Sequence, residues 1–263
     1  MANSDSTLSG ITVWVTRPVH QAGDLCRMIE QRNGVALPLP TLVIRPFREE
    51  ARAPENRLLL THADIVVFIS KNAVTHALDQ FPQIADTVRG KTVLAIGQAT
   101  ARCLGASGFR QVGQVNSGGS EALLRLPVLN ETAIRGKRVV VIRGLGGREE
   151  LRDGLLARGA KVDYLEVYRR DKPDISQAEM TEFWHDQMPD AVIITSLAGL
   201  ENLVELTPDA ESNRLLGTPM VVMSERIGQY AMESGFRRIA VATDNTDAGL
   251  VDALRNISGS VKK

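Results

Sequence analysis

Hydroxyl-bearing residues stand immediately before several predicted helices in this chain of 263 residues. Ser70, the pair Thr195-Ser196 and Ser224 each follow a short aliphatic run, and Gly97 takes the corresponding place after another run. Serine and threonine at such positions ordinarily cap the helix, and we expect this at all three hydroxyl positions. These loops also follow the carboxyl ends of predicted parallel strands, where open α/β sheets bind ligands, so a binding role stays open.

Tyr168 is the candidate proton donor, because a phenol can give up a proton or donate a hydrogen bond at neutral pH. It lies in an extended segment, residues 166–170 (EVYRR). A strand aromatic packed in a core accounts for the same residue, and composition alone favours that structural role. Both interpretations stay open on the residues themselves.

A glycine-rich loop, residues 144–148 (GLGGR), follows another predicted strand. It resembles part of a dinucleotide-binding fingerprint, but Glu149 stands where the third glycine is needed, so we expect no nicotinamide or flavin. The N–H groups at this helix start could bind an anion beside Arg143 and Arg148. A flexible loop with solvated arginines explains the sequence equally well.

The sequence contains no motif typical of a metal-binding or cofactor-binding site. The four histidines lack the spacing of metal ligands, and we expect each of them on the surface. Cys26 and Cys103 are too few for a structural zinc site and fit the apolar faces of helices. Neither GxxxxGK[ST] nor G-x-S-x-G occurs, so we expect no cofactor and no metal.

Composition narrows the class of protein. Basic and acidic side chains balance at 31 each and aromatics make up 4%, which excludes the basic field and the stacking platforms of a nucleic-acid binder. No apolar run is long enough to span a membrane, and Met1–Gly10 lacks a secretory pattern. We expect a cytoplasmic protein with two domains.

Short aliphatic runs alternate with amphipathic segments along the chain, a pattern that predicts βαβ units and parallel sheets. The predicted strands are Ile11–Thr16, Asp64–Ser70, Thr92–Ile96, Gln111–Val115, Arg138–Arg143, Ala191–Thr195, Met220–Met223 and Arg238–Thr243. Two further segments, residues 38–46 and 162–170, are extended, and three prolines exclude a helix in the first. They could form a two-stranded connection between domains.

The chain also repeats itself at a spacing of about 126 residues, which is long enough for a structural unit. The tetrapeptide SGFR stands at residues 107–110 and again at 234–237, and Ser70 corresponds to Ser196. We interpret the chain as a divergent duplication, with copies near residues 11–130 and 137–256.

Taken in order, these motifs resemble those of the uroporphyrinogen-III synthase family, from about residue 11 to 255. The matching segments are Val15–Pro18, Pro40–Ile44, Val67–Val74, Ala95–Ala101, Val141–Gly144, Glu166–Tyr168, Ile194–Ser196 and Ser224–Ile227. The resemblance implies two flavodoxin-like α/β domains with parallel sheets, joined by a two-stranded linker and with a cleft between the domains. One domain would hold residues 1–38 and 171–263, the other 47–161, and the linker strands would be 39–46 and 162–170.

The resemblance also implies a cofactor-free lyase. Its substrate would be hydroxymethylbilane, a linear tetrapyrrole with eight carboxylates, which loses water and closes to uroporphyrinogen III with inversion of the terminal pyrrole. Tyr168 matches the tyrosine of this family and would be the acid. The residues expected to contact substrate are Arg17, Ser70, Asn72, Gly97, Arg143, Thr195, Ser196 and Ser224. Leu197–Gly199 departs from Lys71–Ala73 of the first copy, so the halves need not contact substrate equally.

A second hypothesis from the residues is a non-enzymatic protein of two domains that closes on an anionic metabolite. The duplicated units and the extended segments favour it equally well. A flavodoxin-like electron carrier is a third. For the synthase we expect a monomer whose partner is its small-molecule substrate, with no nucleic acid and no membrane.

Overall fold

The structure, a computed structural model, describes residues 8–49, 52–115 and 119–259. Most of Met1–Gly10, the segment without a secretory pattern, therefore lies outside the described residues. The chain divides into two compact units. Unit 1 comprises Met1–Val43 and Asp171–Lys263, and unit 2 comprises Ile44–Arg170.

Strands and helices alternate through most of the described chain. The strands are β1 Thr12–Val15, β2 Val35–Pro38, β3 Val43–Pro46, β4 Ile65–Phe68, β5 Thr92–Ile96, β6 Val112–Val115, β7 Arg138–Gly144, β8 Lys161–Asp171, β9 Ala191–Ile194, β10 Met220–Val222 and β11 Ile239–Val241. The helices are α1 Val19–Glu30, α2 Ala53–His62, α3 Lys71–Gln80, α4 Ile84–Thr87, α5 Gln98–Ala106, α6 Gly119–Leu124, α7 Glu131–Ile134, α8 Glu150–Ala157, α9 Gln177–Asp186, α10 Leu197–Leu206, α11 Ser212–Gly217, α12 Glu225–Glu233 and α13 Asp247–Gly259. Short 3₁₀ turns occupy Pro127–Leu129 and Asp209–Glu211.

Unit 1 is built on a parallel sheet with the strand order β11-β10-β9-β1-β2. Its central strand, β9, is buried along its whole length, because helices cover both faces of the sheet. One core lies under α1 and α13 and includes Leu25 and Leu250. The other lies under α9, α10 and α12, where Trp14 and Trp184 meet edge to face with ring centroids 4.6 Å apart.

Unit 2 is built on a sheet with the order β3-β8-β7-β4-β5-β6, in which β8 through β6 run parallel. One core, containing Phe68 and Tyr168, lies on one face, and a second, containing Leu123 and Leu155, lies on the other. Parallel strands share one edge at their carboxyl ends, so the loops after β4, β5 and β7 converge there. These loops hold the candidate site of unit 2.

The eight predicted strands are all present: four are one or two residues shorter than predicted, two are three residues shorter, one is unchanged and one is a residue longer. The sequence did not separate β2 from the proline-rich segment that follows it. β8 is a strand of the unit 2 sheet and contains residues 162–170, whose role as a linker strand stays a prediction. It pairs with β7 from Arg138↔Lys161 to Gly144↔Tyr168, with one register shift near the end. The duplication of a unit of about 126 residues stays a prediction.

No helix within the described ranges is both long enough and apolar enough to cross a membrane.

Candidate active site

The carboxyl ends of the unit 2 strands border a cavity of about 370 Å³. Its wall is formed by the ends of β7 and β8, the glycine loop of residues 144–148 and the start of α6. The side chains of Arg148, Tyr164, Tyr168 and Arg170 line it. Arg143 also contributes to the lining, so the cavity combines an apolar wall with two phenols and three guanidinium groups, which suits an anionic ligand with an apolar body.

Tyr168, the predicted acid, lies on β8 with its ring buried in the core of unit 2. Its Oη is 3.2 Å from Ser70 Oγ and 3.5 Å from Arg170 Nη2. The His76 ring stacks on the phenol at a centroid distance of 5.7 Å. Tyr168 thus takes part in the core and borders the cavity, and the sequence had presented these two roles as alternatives.

Ser70 begins α3, and its Oγ accepts a hydrogen bond of 3.1 Å from the Ala73 N–H, as predicted for a helix cap. Because the same oxygen is within hydrogen-bond distance of Tyr168, the cap also fixes the serine beside the phenol. Asn72 follows in the first turn of α3 and is half-buried. Gly97 precedes α5 with φ +86°, a conformation that only glycine adopts readily.

Arg143, at the end of β7, is buried, and its guanidinium holds the glycine loop together. Nε donates to the Gly144 carbonyl at 3.2 Å, Nη2 to the Gly146 carbonyl, and Nη1 to the Glu149 carboxylate at 3.1 Å. Its Cζ lies 4.3 Å from the centre of the Tyr164 ring. Protein acceptors thus already use several donors of Arg143, and its contact with a substrate carboxylate, expected from the sequence, stays a prediction.

Glu149 links this arginine to Tyr164, whose hydroxyl donates to the Glu149 carboxylate at 2.7 Å. The hydrogen bond from Tyr164, followed by the one from Arg143, holds the pKa of Glu149 below its usual range. Burial, together with the bond to the carboxylate, raises the pKa of Tyr164 to about 12. The neutral phenol and the ionised carboxylate are the forms that suit the cluster at neutral pH.

Unit 1 places its own predicted residues at the carboxyl ends of β1, β9 and β10. Arg17 forms an ion pair of 2.6 Å with Asp247 at the start of α13, so its charge is already balanced. Ser196 caps α10 by accepting from the Gly199 N–H at 3.0 Å, and the half-buried Thr195 precedes it. Ser224 precedes α12 without a side-chain cap bond, so the predicted capping bond is wrong there.

The sequence of this chain matches one family over most of its length. A sequence model described as uroporphyrinogen-III synthase HemD matches residues 24–252. The uroporphyrinogen-III synthase of Salmonella typhimurium is 33% identical over 248 residues, 93% of this chain and 100% of that protein. The chain belongs to the uroporphyrinogen-III synthase family. The Escherichia coli uroporphyrinogen-III synthase is 32% identical over the same shares of the two chains.

Solved structures of uroporphyrinogen-III synthases have the same fold. The enzyme of Helicobacter pylori superposes with a TM-score of 0.65 at 14% identity, covering 94% of this chain and 99% of that one. A mutant enzyme of Thermus thermophilus superposes with a TM-score of 0.61 at 17% identity, covering 96% and 99%. The resemblance seen in the sequence is thereby confirmed, and the enzyme hypothesis is favoured over the non-enzymatic binding protein.

Four side chains of this uroporphyrinogen-III synthase site had no role in the sequence analysis. The sequence marks Arg170 only as part of the EVYRR segment and Glu149 only as the residue that replaces a glycine, and it gives no sign of the role of Tyr164. His76 was expected on the surface, yet it stacks on Tyr168. The available signal for Tyr164 and Arg170 was their place in the same extended segment as Tyr168. The alternation of β8 is no guide, because a register shift interrupts it between Glu166 and Tyr168.

Among the described residues, no group of three or more His, Cys, Asp and Glu side chains could hold a metal ion. Cys26 is half-buried against the unit 1 core that includes Leu25, and Cys103 is half-buried against the unit 2 core that includes Phe68. Burial raises the pKa of the Cys26 thiol. This environment is typical of a packing residue rather than a reactive thiolate.

Proposed function

We propose that this chain converts hydroxymethylbilane into uroporphyrinogen III, with Tyr168 as the acid that starts the reaction. The carrying observation is the position of Tyr168: it matches the tyrosine of the family segment Glu166–Tyr168 and borders a cavity in unit 2. Beside it stand a hydroxyl and a guanidinium group, from Ser70 and Arg170. A phenol with polar neighbours at a cavity wall is a suitable proton donor to a bound ligand.

The reaction requires one proton transfer from the protein, followed by control of the substrate's orientation. The carbon–oxygen bond of the substrate's hydroxymethyl group breaks, its electron pair leaves with oxygen, and the phenol proton completes a molecule of water. The remaining azafulvene is reactive by itself, and uncatalysed closure gives the uninverted type I ring. The protein must therefore bias geometry so that the terminal pyrrole inverts through a spiro intermediate, and orientation supplies most of that selectivity.

Substrate carboxylates are expected to meet donors at the strand ends of each unit. In unit 2 these are the N-terminal turns of α3 and α5, with Ser70, Asn72 and Gly97. In unit 1 they are the turns of α10 and α12, with Thr195, Ser196 and Ser224. Helix N-termini favour anions, and hydrogen bonds to a charged group contribute about 1.5–3 kcal/mol each, so several together hold a flexible polyanion.

Arg17 and Arg143 act differently in this proposal, because each is already bound by the protein. Arg17 ties the β1–α1 loop to Asp247, and Arg143 shapes the glycine loop. They keep the surrounding donors in place. The enzyme is expected to act as a monomer in the cytoplasm, and sedimentation of the purified protein tests the first of these expectations.

The test of the proposed function is the identity of the product isomer. The purified protein is given freshly prepared hydroxymethylbilane, and the uroporphyrinogens are oxidised and separated. We expect the type III isomer to predominate over the type I isomer of the protein-free blank. A product that is only type I would overturn the proposed function. Tyr168→Phe should slow formation of the type III isomer, and an unchanged kcat and KM would remove Tyr168 from catalysis.

A further inference from the structure

Two polar side chains, from Ser70 and Arg170, lie within hydrogen-bond distance of the Tyr168 oxygen, and their chemistry determines which atom donates. Arg170 Nη2 lies 3.5 Å from Oη, and its guanidinium carbon lies 5.7 Å from the centre of the phenol ring. A guanidinium has no acceptor, so Arg170 can only donate to this oxygen. Arg170 is itself exposed at the cavity, where its positive charge faces Oη from the cavity side.

Ser70 supplies the second contact. Its Oγ already accepts from the Ala73 N–H at 3.1 Å, and it lies 3.2 Å from Tyr168 Oη. A hydroxyl carries one proton, and Tyr168 Oη is the partner recorded for that proton among the described residues. If Ser70 donates to Tyr168, its oxygen accepts one hydrogen bond and its proton makes another. If Tyr168 donates to Ser70 instead, the serine proton loses this partner.

We propose that Ser70 and Arg170 both donate to Tyr168 Oη, forming a two-donor cradle that directs the phenol proton toward the substrate and stabilises the phenolate that remains. This inference rests on the function proposed above and deepens it. With two donors on its oxygen, the phenol finds no acceptor for its own proton among the residues that the structure describes. That proton is then available to the departing hydroxyl group in the cavity.

The cycle balances without a further reactant. The Tyr168 O–H bond breaks as the substrate's carbon–oxygen bond breaks, and water forms. The pyrrole carbon that makes the ring-closing bond later loses one proton, which restores the phenol. Between the two steps the negative charge on Oη faces one neutral and one cationic donor, and charge-assisted hydrogen bonds of this kind are the strong ones.

The side chains of the cradle come from two elements that the fold holds rigidly. Ser70 is fixed by its cap on α3, and Tyr168 by the core around β8. Arg170 stands two residues beyond Tyr168 on the same strand, so both side chains lie on one face of β8. Arg169 lies between them on the opposite face and gives a matched control for loss of one positive charge.

The experiment compares kcat and KM for type III product among Arg170→Gln, Arg170→Lys and the control Arg169→Gln. We expect Arg170→Gln to lower kcat by about 10- to 100-fold with KM changed by less than about threefold, because one donor to a developing anion is removed. Arg170→Lys should recover part of the loss, and Arg169→Gln should leave kcat unchanged. A raised KM with unchanged kcat would make Arg170 a carboxylate-binding residue and overturn the proposal.

Ser70 is tested by Ser70→Ala and Ser70→Thr. The first removes the donor and the helix cap, and the second keeps both, so Ser70→Thr should retain a larger share of the wild-type kcat than Ser70→Ala. Thermal unfolding of Ser70→Ala checks that the variant is folded at the assay temperature. If Ser70→Thr loses as much kcat as Ser70→Ala, donation from residue 70 is refuted.

The decisive comparison repeats Arg170→Gln and Ser70→Ala in a Tyr168→Phe background. Groups that act through the phenol oxygen lose their effect when that oxygen is absent, whereas a structural role gives the same loss in both backgrounds. Equal losses would overturn the cradle and leave the acid role of Tyr168 intact. If Tyr168→Phe alone leaves kcat unchanged, the acid role fails and the cradle fails with it, while the isomer assay still judges the function.

Discussion

The ring of Tyr168 lies directly on the backbone of Gly144. A Cβ added at residue 144 would stand 2.6 Å from both Cε2 and Cζ of the phenol ring. The next residue strengthens this relationship, because the Leu145 N–H donates to the Tyr168 carbonyl at 2.7 Å. The glycine therefore sets how closely the phenol approaches the end of β7, and with it the position of Oη beside Ser70 and Arg170.

Gly144→Ala is expected to displace the phenol and to lower kcat more than it raises KM. Overpacking of a well-packed core costs about 1–3 kcal/mol, so the free energy of unfolding in urea should fall by that amount. Gly105→Ala is the matched control, because a Cβ in that helix would contact nothing within 4 Å. The control should be neutral or slightly stabilising, and an equal loss of kcat in both variants would contradict the role given to Gly144.

Arg143→Met is expected to loosen the glycine loop. It leaves the carbonyl group of the buried Gly144 without its donor, and an unsatisfied buried acceptor costs about 1–3 kcal/mol. The Gly146 carbonyl and the Glu149 carboxylate lose the same guanidinium, but both residues are exposed and Glu149 keeps its bond from Tyr164. Arg148→Met removes the same charge from an exposed position of the same loop and should change the free energy of unfolding by less than about 0.5 kcal/mol. Urea unfolding of both variants measures the difference, and equal stabilities would show that Arg143 does not hold the loop.

The bond between Tyr164 and Glu149 predicts a pH dependence on the alkaline side. The folded-state pKa of Tyr164, about 12, lies above its ordinary value of 10.0, so folding favours the protonated phenol. Its stabilising contribution is complete below pH 10 and is lost as the pH rises from 10 toward 12. Urea unfolding from pH 8 to 11.5 should therefore show a steeper decline for the wild type than for Tyr164→Phe, and parallel curves would refute the assignment.

Two serines at equivalent helix starts give a paired test of capping. Ser196→Ala removes the bond to the Gly199 N–H and should cost about 1 kcal/mol of unfolding free energy. Ser224→Ala removes a hydroxyl that makes no cap bond and should cost much less. Chemical denaturation of the two variants decides the point, and a larger loss for Ser224→Ala would contradict the structure. If Ser224 contacts substrate, its variant should instead raise KM.

The central strands of this protein could be predicted because they are buried on both faces. β4 and β9 are continuous aliphatic runs bounded by polar residues, so composition alone marks them. Short helices such as α4 and α7 could not be predicted, since four residues provide no full apolar period. Residues 162–170 are predicted to be extended, but the sequence alone does not show that they pair with β7, because pairing depends on contacts with a distant segment.

Some residues of the candidate site could likewise be predicted from the sequence, and others could not. Tyr168, Ser70 and Gly97 follow from local patterns, because each marks a strand or a strand end. The role of Arg143 does not, because its burial depends on a loop that folds back: Gly147 has φ +107°, and a Cβ there would lie 2.7 Å from Arg143 Nη2. The sequence shows that an arginine stands beside several glycines. It does not show which of their carbonyl groups face the guanidinium.

The discontinuous build of unit 1 has a consequence for the order in which the chain folds. β1 pairs with β9, with Val13 opposite Ala191, and Arg17 finds Asp247 only in the last helix. During synthesis all of unit 2 emerges from the ribosome while β1 still lacks β9 as a neighbour. Because domains fold as units and distant contacts close slowly, the inserted unit should mature first, and the opening strand must wait unpaired on that side. Substitutions that slow the closing of α13 should therefore lower the yield of folded protein more than its final stability.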